Sequence, residues 1–128
     1  MNLWVKISFQ RGNFILIDMK YEKLRKGWQF DKVYKEGHKY FDDLFVLYVL
    51  SNNIREVRIG LTVTKKIGKS VQRNRVKRII RESIRLSKGI LPGNDIVVIA
   101  RKPSVDLKCQ QAKNSLNHLL RRARILEN

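Results

Sequence analysis

The sequence predicts an α+β fold in a single domain, and three observations carry that prediction. The chain has 128 residues, 43% of them hydrophobic, with no internal repeat, linker or low-complexity tract, which suits one compact core. Stretches of strand character are interleaved with stretches of helical period, in the order helix, strands, helix, strand, helix. The helical stretches are each apolar on one face only, so each needs a partner layer.

The domain is expected to span residues 19–128. Residues 1–18, MNLWVKISFQRGNFILID, lack the charged start, apolar stretch and cleavage site of a signal peptide. They are read as an N-terminal extension, either poorly ordered or an artefact of the start site, because Met19 followed by KYEKLRKGWQFDKVYKEG has the character of a second start. A short helix is expected over Gly27–Glu36, with Phe30, Val33 and Tyr34 on one face and Gly37 ending it in the left-handed conformation.

Residues 44–51, LFVLYVLS, are apolar on both faces, as in a strand covered on two sides. After the turn NNIRE, residues 57–64 alternate. Val57, Ile59, Leu61 and Val63 point one way, and Arg58, Gly60, Thr62 and Thr64 the other. The two segments read as an antiparallel pair. The lysine-rich loop KKIGKSVQ leads to a helix expected from about Arg73 or Asn74, with Asn74 able to cap it. LPGND breaks the chain, and residues 95–101, DIVVIAR, form a third apolar strand. From Ser104 onward, Ala112, Leu116, Leu119, Leu120 and Ala123 recur at helical spacing. Arg121, Arg122 and Arg124 lie towards that segment's C-terminal end, where cations suit the helix dipole.

Charge narrows the function. Twenty-eight Lys and Arg against 11 acidic residues give a formal charge of +17, a self-repulsion that a polyanionic partner relieves. Nucleic acid fits better than a membrane, since no run approaches the roughly 20 apolar residues that cross a bilayer. Cys109 is the only cysteine, so one chain can form neither a disulfide nor a CxxC metal site; it reads as a small packing residue on a helix, in a cytoplasmic protein. Asp42 and Asp43 are adjacent and would point apart in an extended segment, and the other acids are scattered, so no catalytic or metal-binding carboxylate cluster is expected. There is no GxxxxGK[ST] loop, and Gly68 reads as a turn glycine.

The most informative stretch is residues 70–88, SVQRNRVKRIIRESIRLSK. At about 100° per residue, Asn74, Lys77, Arg78, Arg81, Arg85 and Lys88 share one arc, while Val76, Ile79, Ile80, Ser83 and Ile84 lie opposite. An ordinary solvated face would mix signs, yet Glu82 is the only acid from Lys65 to Lys88. The cationic arc is therefore read as a polyanion site, and its preference for arginine suits bidentate phosphate contact and stacking on bases.

Residues 60–82, GLTVTKKIGKSVQRNRVKRIIRE, together with LPGNDIVVIARKP, closely resemble the protein subunit of bacterial ribonuclease P. The likeness runs from about Lys23 to Leu120 and includes FDKVYKEG, FVLYVL and NSLNHLLRRA in the family's order. The resemblance implies an α/β sandwich like the second domain of ribosomal protein S5, with a left-handed βαβ crossover. Handedness rules alone would favour the right-handed form in about 98% of cases. It implies that the partners are ribonuclease P RNA, which carries the catalysis, and precursor tRNA, whose 5′ leader the pair removes. It also implies a holoenzyme that requires Mg2+ while the protein alone binds no cofactor.

By position, Arg73, Asn74, Arg75, Lys77, Arg78, Arg81 and Arg85 would face the catalytic RNA, and Phe30, Tyr34, Val46 and Tyr48, with Lys66 at the rim, would line a cleft for the leader. The residues are compatible with that cleft: Phe30 and Tyr34 are four apart on a helix, and Val46 and Tyr48 two apart on a strand, so each pair projects together. An ordinary core role for all four remains open at this point, as do two other functions, a stand-alone RNA-binding module and a nuclease working without RNA. Two features depart from the family pattern. The extension before Met19 has no counterpart, and Gly27 stands where a side-chain cap often opens the first helix.

Overall fold

The computed structural model describes residues 5–10, 13–18, 21–87 and 89–126. Within the predicted extension, β1 (Val5–Gln10) pairs antiparallel with β2 (Asn13–Asp18) in a two-stranded sheet of their own. The rest is a mixed five-stranded sheet with helices on both faces. Its strands are β3 (Tyr21–Lys23), β4 (His38–Phe41), β5 (Phe45–Ser51), β6 (Val57–Thr62) and β7 (Asn94–Ala100), in the order β3-β6-β7-β5-β4. β3 and β7 run parallel to β6, whereas β5 is antiparallel to β7 and β4 to β5.

The expected pairing of residues 44–51 with residues 57–64 is not formed. β7 lies between them, antiparallel to β5 and parallel to β6. The reason is burial: only Ile99 of β7 is more than marginally accessible, so this strand needs a neighbour on each edge and a layer on each face, which only the centre of a sheet supplies.

Helix α1 (Gly27–Glu36) has the predicted limits. It lies on one face, where Leu24, Val33 and Val97 form a small core flanked by Phe30, Tyr34, Tyr48, Leu50 and Ile99. Helices α2 (Ser70–Arg85) and α3 (Cys109–Arg122) pack together on the other face, over Phe45, Leu47, Val49, Val57, Ile59, Ile96 and Val98. α3 buries Ala112, Leu116, Leu119 and Leu120, as its spacing predicts. The strand expected to be covered on both sides is covered unequally. Phe45, Leu47 and Val49 are buried under α2 and α3, while Val46, Tyr48 and Leu50 are half-buried because α1 is short and spans only part of its face.

All three helices start in the same way. A glutamine at the third position turns back and accepts from the backbone N–H of the preceding lysine: Gln29 from Lys26 (3.0 Å), Gln72 from Lys69 (2.8 Å) and Gln111 from Lys108 (3.1 Å). Gln29 also accepts from Arg25 (2.9 Å), and the cap position is Lys26, with Gly27 the first helical residue. Gly37 does not take the left-handed conformation. Its φ of −80° and ψ of 165° are extended, and glycine is needed there for space instead. A Cβ would stand 2.5 Å from the Val33 carbonyl oxygen and 2.9 Å from that of Val49, both backbone atoms that cannot turn aside. Gly37→Ala is accordingly expected to destabilise the fold by about 1–3 kcal/mol, read from the urea midpoint.

Candidate nucleic-acid interface

α2 begins at Ser70, one turn before the predicted start, because Gln72 supplies the cap. Asn74 is thus an exposed helical residue and not the cap. The predicted division of the helix holds: Val76, Ile79, Ile80, Ser83 and Ile84 are all buried. On the opposite side Asn74 and three of the cations fall into two groups. Asn74 and Arg78 are exposed, and Lys77 and Arg81 are half-buried. None of the four has a hydrogen-bond or ion-pair partner among the described residues. Burial holds the Arg81 guanidinium below its ordinary pKa, although an arginine stays charged at neutral pH. Arg73 is also half-buried, and its Nε is enclosed without a partner.

Arg75 and Arg85 are already engaged. Arg75 donates to the carbonyls of Leu107 (2.7 Å) and Val105 (3.3 Å), tying α2 to the segment before α3. Arg85 donates to Glu82 through Nε and Nη2, and this hydrogen bonding raises its pKa. Arg75→Ala is expected to lower stability by about 1 kcal/mol, seen as a fall in unfolding midpoint, with a smaller effect on RNA affinity than Arg78→Ala. Lys88, the sixth member of the predicted arc, lies outside the described residues.

The other predicted residues meet on the α1 face of the sheet. The Tyr34 ring is edge-on to Tyr48 at 5.2 Å and tilted against Phe30 at 6.5 Å, and its hydroxyl is 3.0 Å from that of Thr62. Val46 follows on the same face of β5, beside Ile99 of β7. Phe30 sits where Gly60 leaves room, since a Cβ at Gly60 would fall on its ring. Lys66 is exposed in the 3-10 turn Lys65–Ile67, just downstream of β6. Phe30, Tyr34, Val46 and Tyr48 are half-buried on this face, and the three aromatic rings pack against the small core of Leu24, Val33 and Val97.

The basic helix and the α1 face meet at Phe30. β3 ends at Lys23, opposite Ile59, so the outer edge of β6 beyond that point has no strand beside it. At that opening a cavity of about 130 Å³ is lined by Lys23, Leu24, Phe30, Ile59, Leu61, Lys77 and Arg81. Phe30 reaches it from α1, and Lys77 and Arg81 from α2. Lys23, Thr62 and Ile99 were not singled out in the sequence; their roles follow from strand order, which local pattern does not disclose.

Two of the acids are engaged by protein donors. One carboxylate oxygen of Asp42 accepts from the N–H groups of Leu44 and Phe45 at 2.9 Å each, and the other from the Ser115 hydroxyl. Asp95 is bound to Arg58 and Asn52. Among the described residues no three His, Cys, Asp or Glu side chains stand together to hold a metal. Cys109 is exposed at the first position of α3, not packed as expected; Leu107 and Ala112 are the residues that enter the core at this end. Gly68, as a turn glycine should, has φ of 151° at the end of the 3-10 turn. No helix among the described residues is long and apolar enough to cross a membrane.

Comparison with known proteins gives this arrangement its context. The family model described as Ribonuclease P matches residues 19–124. The chain belongs to the ribonuclease P protein family. It is 45% identical over 104 residues to the ribonuclease P protein component of Bacillus velezensis, covering 80% of this chain and 90% of that one. It matches the structure of the ribonuclease P protein of Staphylococcus aureus with TM-score 0.76 and 39% identity, over 82% of this chain and 97% of the other. The corresponding Thermotoga maritima protein matches with TM-score 0.72 and 35% identity, over 84% and 99%. A ribonuclease P protein is the RNA-binding subunit of an endoribonuclease ribonucleoprotein that processes precursor tRNA leaders. The β1–β2 hairpin precedes the matched region, and parallel β6 and β7 are connected through α2 in a βαβ unit.

Proposed function

We propose that α2 binds ribonuclease P RNA through Asn74, Lys77, Arg78 and Arg81, with Arg73, Arg75 and Arg85 in support, while the cleft of Phe30, Tyr34, Val46 and Tyr48 holds the single-stranded 5′ leader of precursor tRNA. The observation that carries this reading is the cavity shared by Phe30, Lys77 and Arg81. An RNA bound along α2 and a strand lying in the cleft would be neighbours there. Stacking on aromatic rings beside cations grips a single strand without reading its sequence, which suits leaders of varied sequence.

The catalysis belongs to the RNA in this reading. The holoenzyme's Mg2+ requirement is assigned to RNA phosphates in this reading, in which the Asp42 and Asp95 carboxylates serve the fold by accepting from protein donors. The protein would work in the cytoplasm, where tRNA precursors are made. The test is cleavage of a precursor tRNA by a bacterial ribonuclease P RNA at low magnesium, with and without this protein, beside a protein-only control. Cleavage only when both are present is expected. Equal cleavage by the RNA alone would favour a stand-alone RNA-binding module, and cleavage by the protein alone would revive a protein nuclease.

A further inference from the structure

We infer that Phe41, with Lys39 against its ring, is an additional stacking platform for single-stranded RNA, extending the cleft across β4 to take a leader nucleotide beyond those at Tyr34 and Tyr48. The inference rests on the leader-cleft reading and lengthens it.

The strand register places this platform. β4 pairs with β5 so that Lys39 is opposite Tyr48, Tyr40 opposite Leu47 and Phe41 opposite Val46. Tyr40 packs into the core under α2 and α3, so by alternation Lys39 and Phe41 project to the cleft face. Thr62, Ile99, Val46 and Phe41 are successive register partners across four strands. The row begins at the hydroxyl bonded to Tyr34 and ends at an aromatic ring, about 14 Å away by three strand spacings. Phe41 is 56% exposed, and the Lys39 ammonium lies 5.7 Å from its ring centroid. An aromatic face beside a cation, continuous with an aromatic cleft, suits a nucleotide: the ring takes the base and the ammonium the phosphate.

The platform is also held still. Arg122 donates to the Phe41 carbonyl (3.2 Å) and Arg101 to the Asp42 carbonyl (2.8 Å), while Asp42 closes the β4–β5 turn from inside. Arginines from α3 and from the end of β7 thus fix the backbone that presents the ring. An anchored backbone gives up little freedom on binding. The same arginines add positive charge on the approach to the shelf, which favours a polyanion over a hydrophobic protein segment.

The test uses holoenzyme reconstituted with bacterial ribonuclease P RNA and precursor tRNAs whose leaders increase one nucleotide at a time, each with 2-aminopurine at its 5′-terminal position. With the unaltered protein, affinity and fluorescence quenching should continue to respond until the leader covers the shelf. Phe41→Ala should weaken binding of long-leader precursors at least about fivefold, leave mature tRNA unchanged and end the length response earlier. Phe41→Trp should retain the response and Phe41→Leu should lose it. That pair decides the matter even if the alanine variant folds poorly. An unaltered length response in Phe41→Leu would overturn the inference, as would equal losses for mature tRNA and precursor or a change in oligomeric state on sedimentation. Tyr34→Ala separates the two levels. If it impairs precursor binding while the Phe41 variants do not, only the extension fails; if neither discriminates precursor from mature tRNA, the cleft itself fails.

Discussion

Asp95→Ala is expected to destabilise the protein by about 3 kcal/mol, the low end for breaking a buried ion pair. Asp95 and Arg58 are register partners on β7 and β6, and the pairing is bidentate: Nε to Oδ1 at 2.7 Å and Nη2 to Oδ2 at 2.6 Å. Asn52 donates to the same Oδ1 at 2.7 Å, so the carboxylate also anchors the loop between β5 and β6. The Asp95 side chain is 5% exposed and that of Arg58 26%. Removing the acid therefore strands a guanidinium that reaches water only in part, and the hydrogen bond that holds its pKa up is lost. Partial access to water is why the low end applies. Asp95→Asn keeps an acceptor and should lose less, and Asp95→Leu combined with Arg58→Met should recover much of the loss by removing both charges. Urea unfolding with an unchanged m-value measures all three. A loss below about 1 kcal/mol in Asp95→Ala would show that the pair is solvated in effect.

What the sequence discloses about the fold depends on whether the signal is local. The limits of α1 and the buried face of α2 rest on period and side-chain size, and both emerge as expected. The start of α2 lies one turn earlier than Asn74, a conventional cap residue, suggests, because the cap is a glutamine acting backwards on a lysine. β3 and β4 carry no local signal for a different reason. They are short, polar edge strands, YEK and HKYF, whose pairing is fixed by neighbours distant in sequence. The wrong partner for β5 has the same origin: contiguity suggested a hairpin, and only the burial of β7 on both faces requires it to lie in between.

The site divides along the same line. Helical and strand periods bring Phe30 to Tyr34 and Val46 to Tyr48, and these pairs do share one face. No local pattern shows that α1 meets the open edge of β6 where Lys77 and Arg81 arrive from the opposite layer, since that depends on β3 stopping at Lys23. Nor can composition distinguish a free arginine from an engaged one. Arg75 and Arg78 look alike in the motif, yet one grips the Leu107 carbonyl and the other is unpartnered among the described residues.

That distinction predicts the ranking of the arginine variants in RNA binding. Arg78→Ala and Arg81→Ala should each weaken assembly with ribonuclease P RNA by about tenfold at low salt, as expected for a lost charged hydrogen bond. Each should also lower the slope of log affinity against log salt by roughly 0.7–0.9 if one phosphate contact is lost. Arg81 should show the larger effect. Its charge is already partly desolvated without an internal partner, so a phosphate gains the attraction without that further cost. Arg85→Ala should have a smaller effect, because its guanidinium must first leave Glu82 to reach RNA. Tyr34→Ala should leave the salt slope intact and instead reduce the preference for precursor over mature tRNA, since stacking releases no counterions. If Arg78→Ala and Arg81→Ala left both affinity and slope unchanged, α2 would not be the RNA-facing surface, and the cationic rail would have to be assigned to another partner.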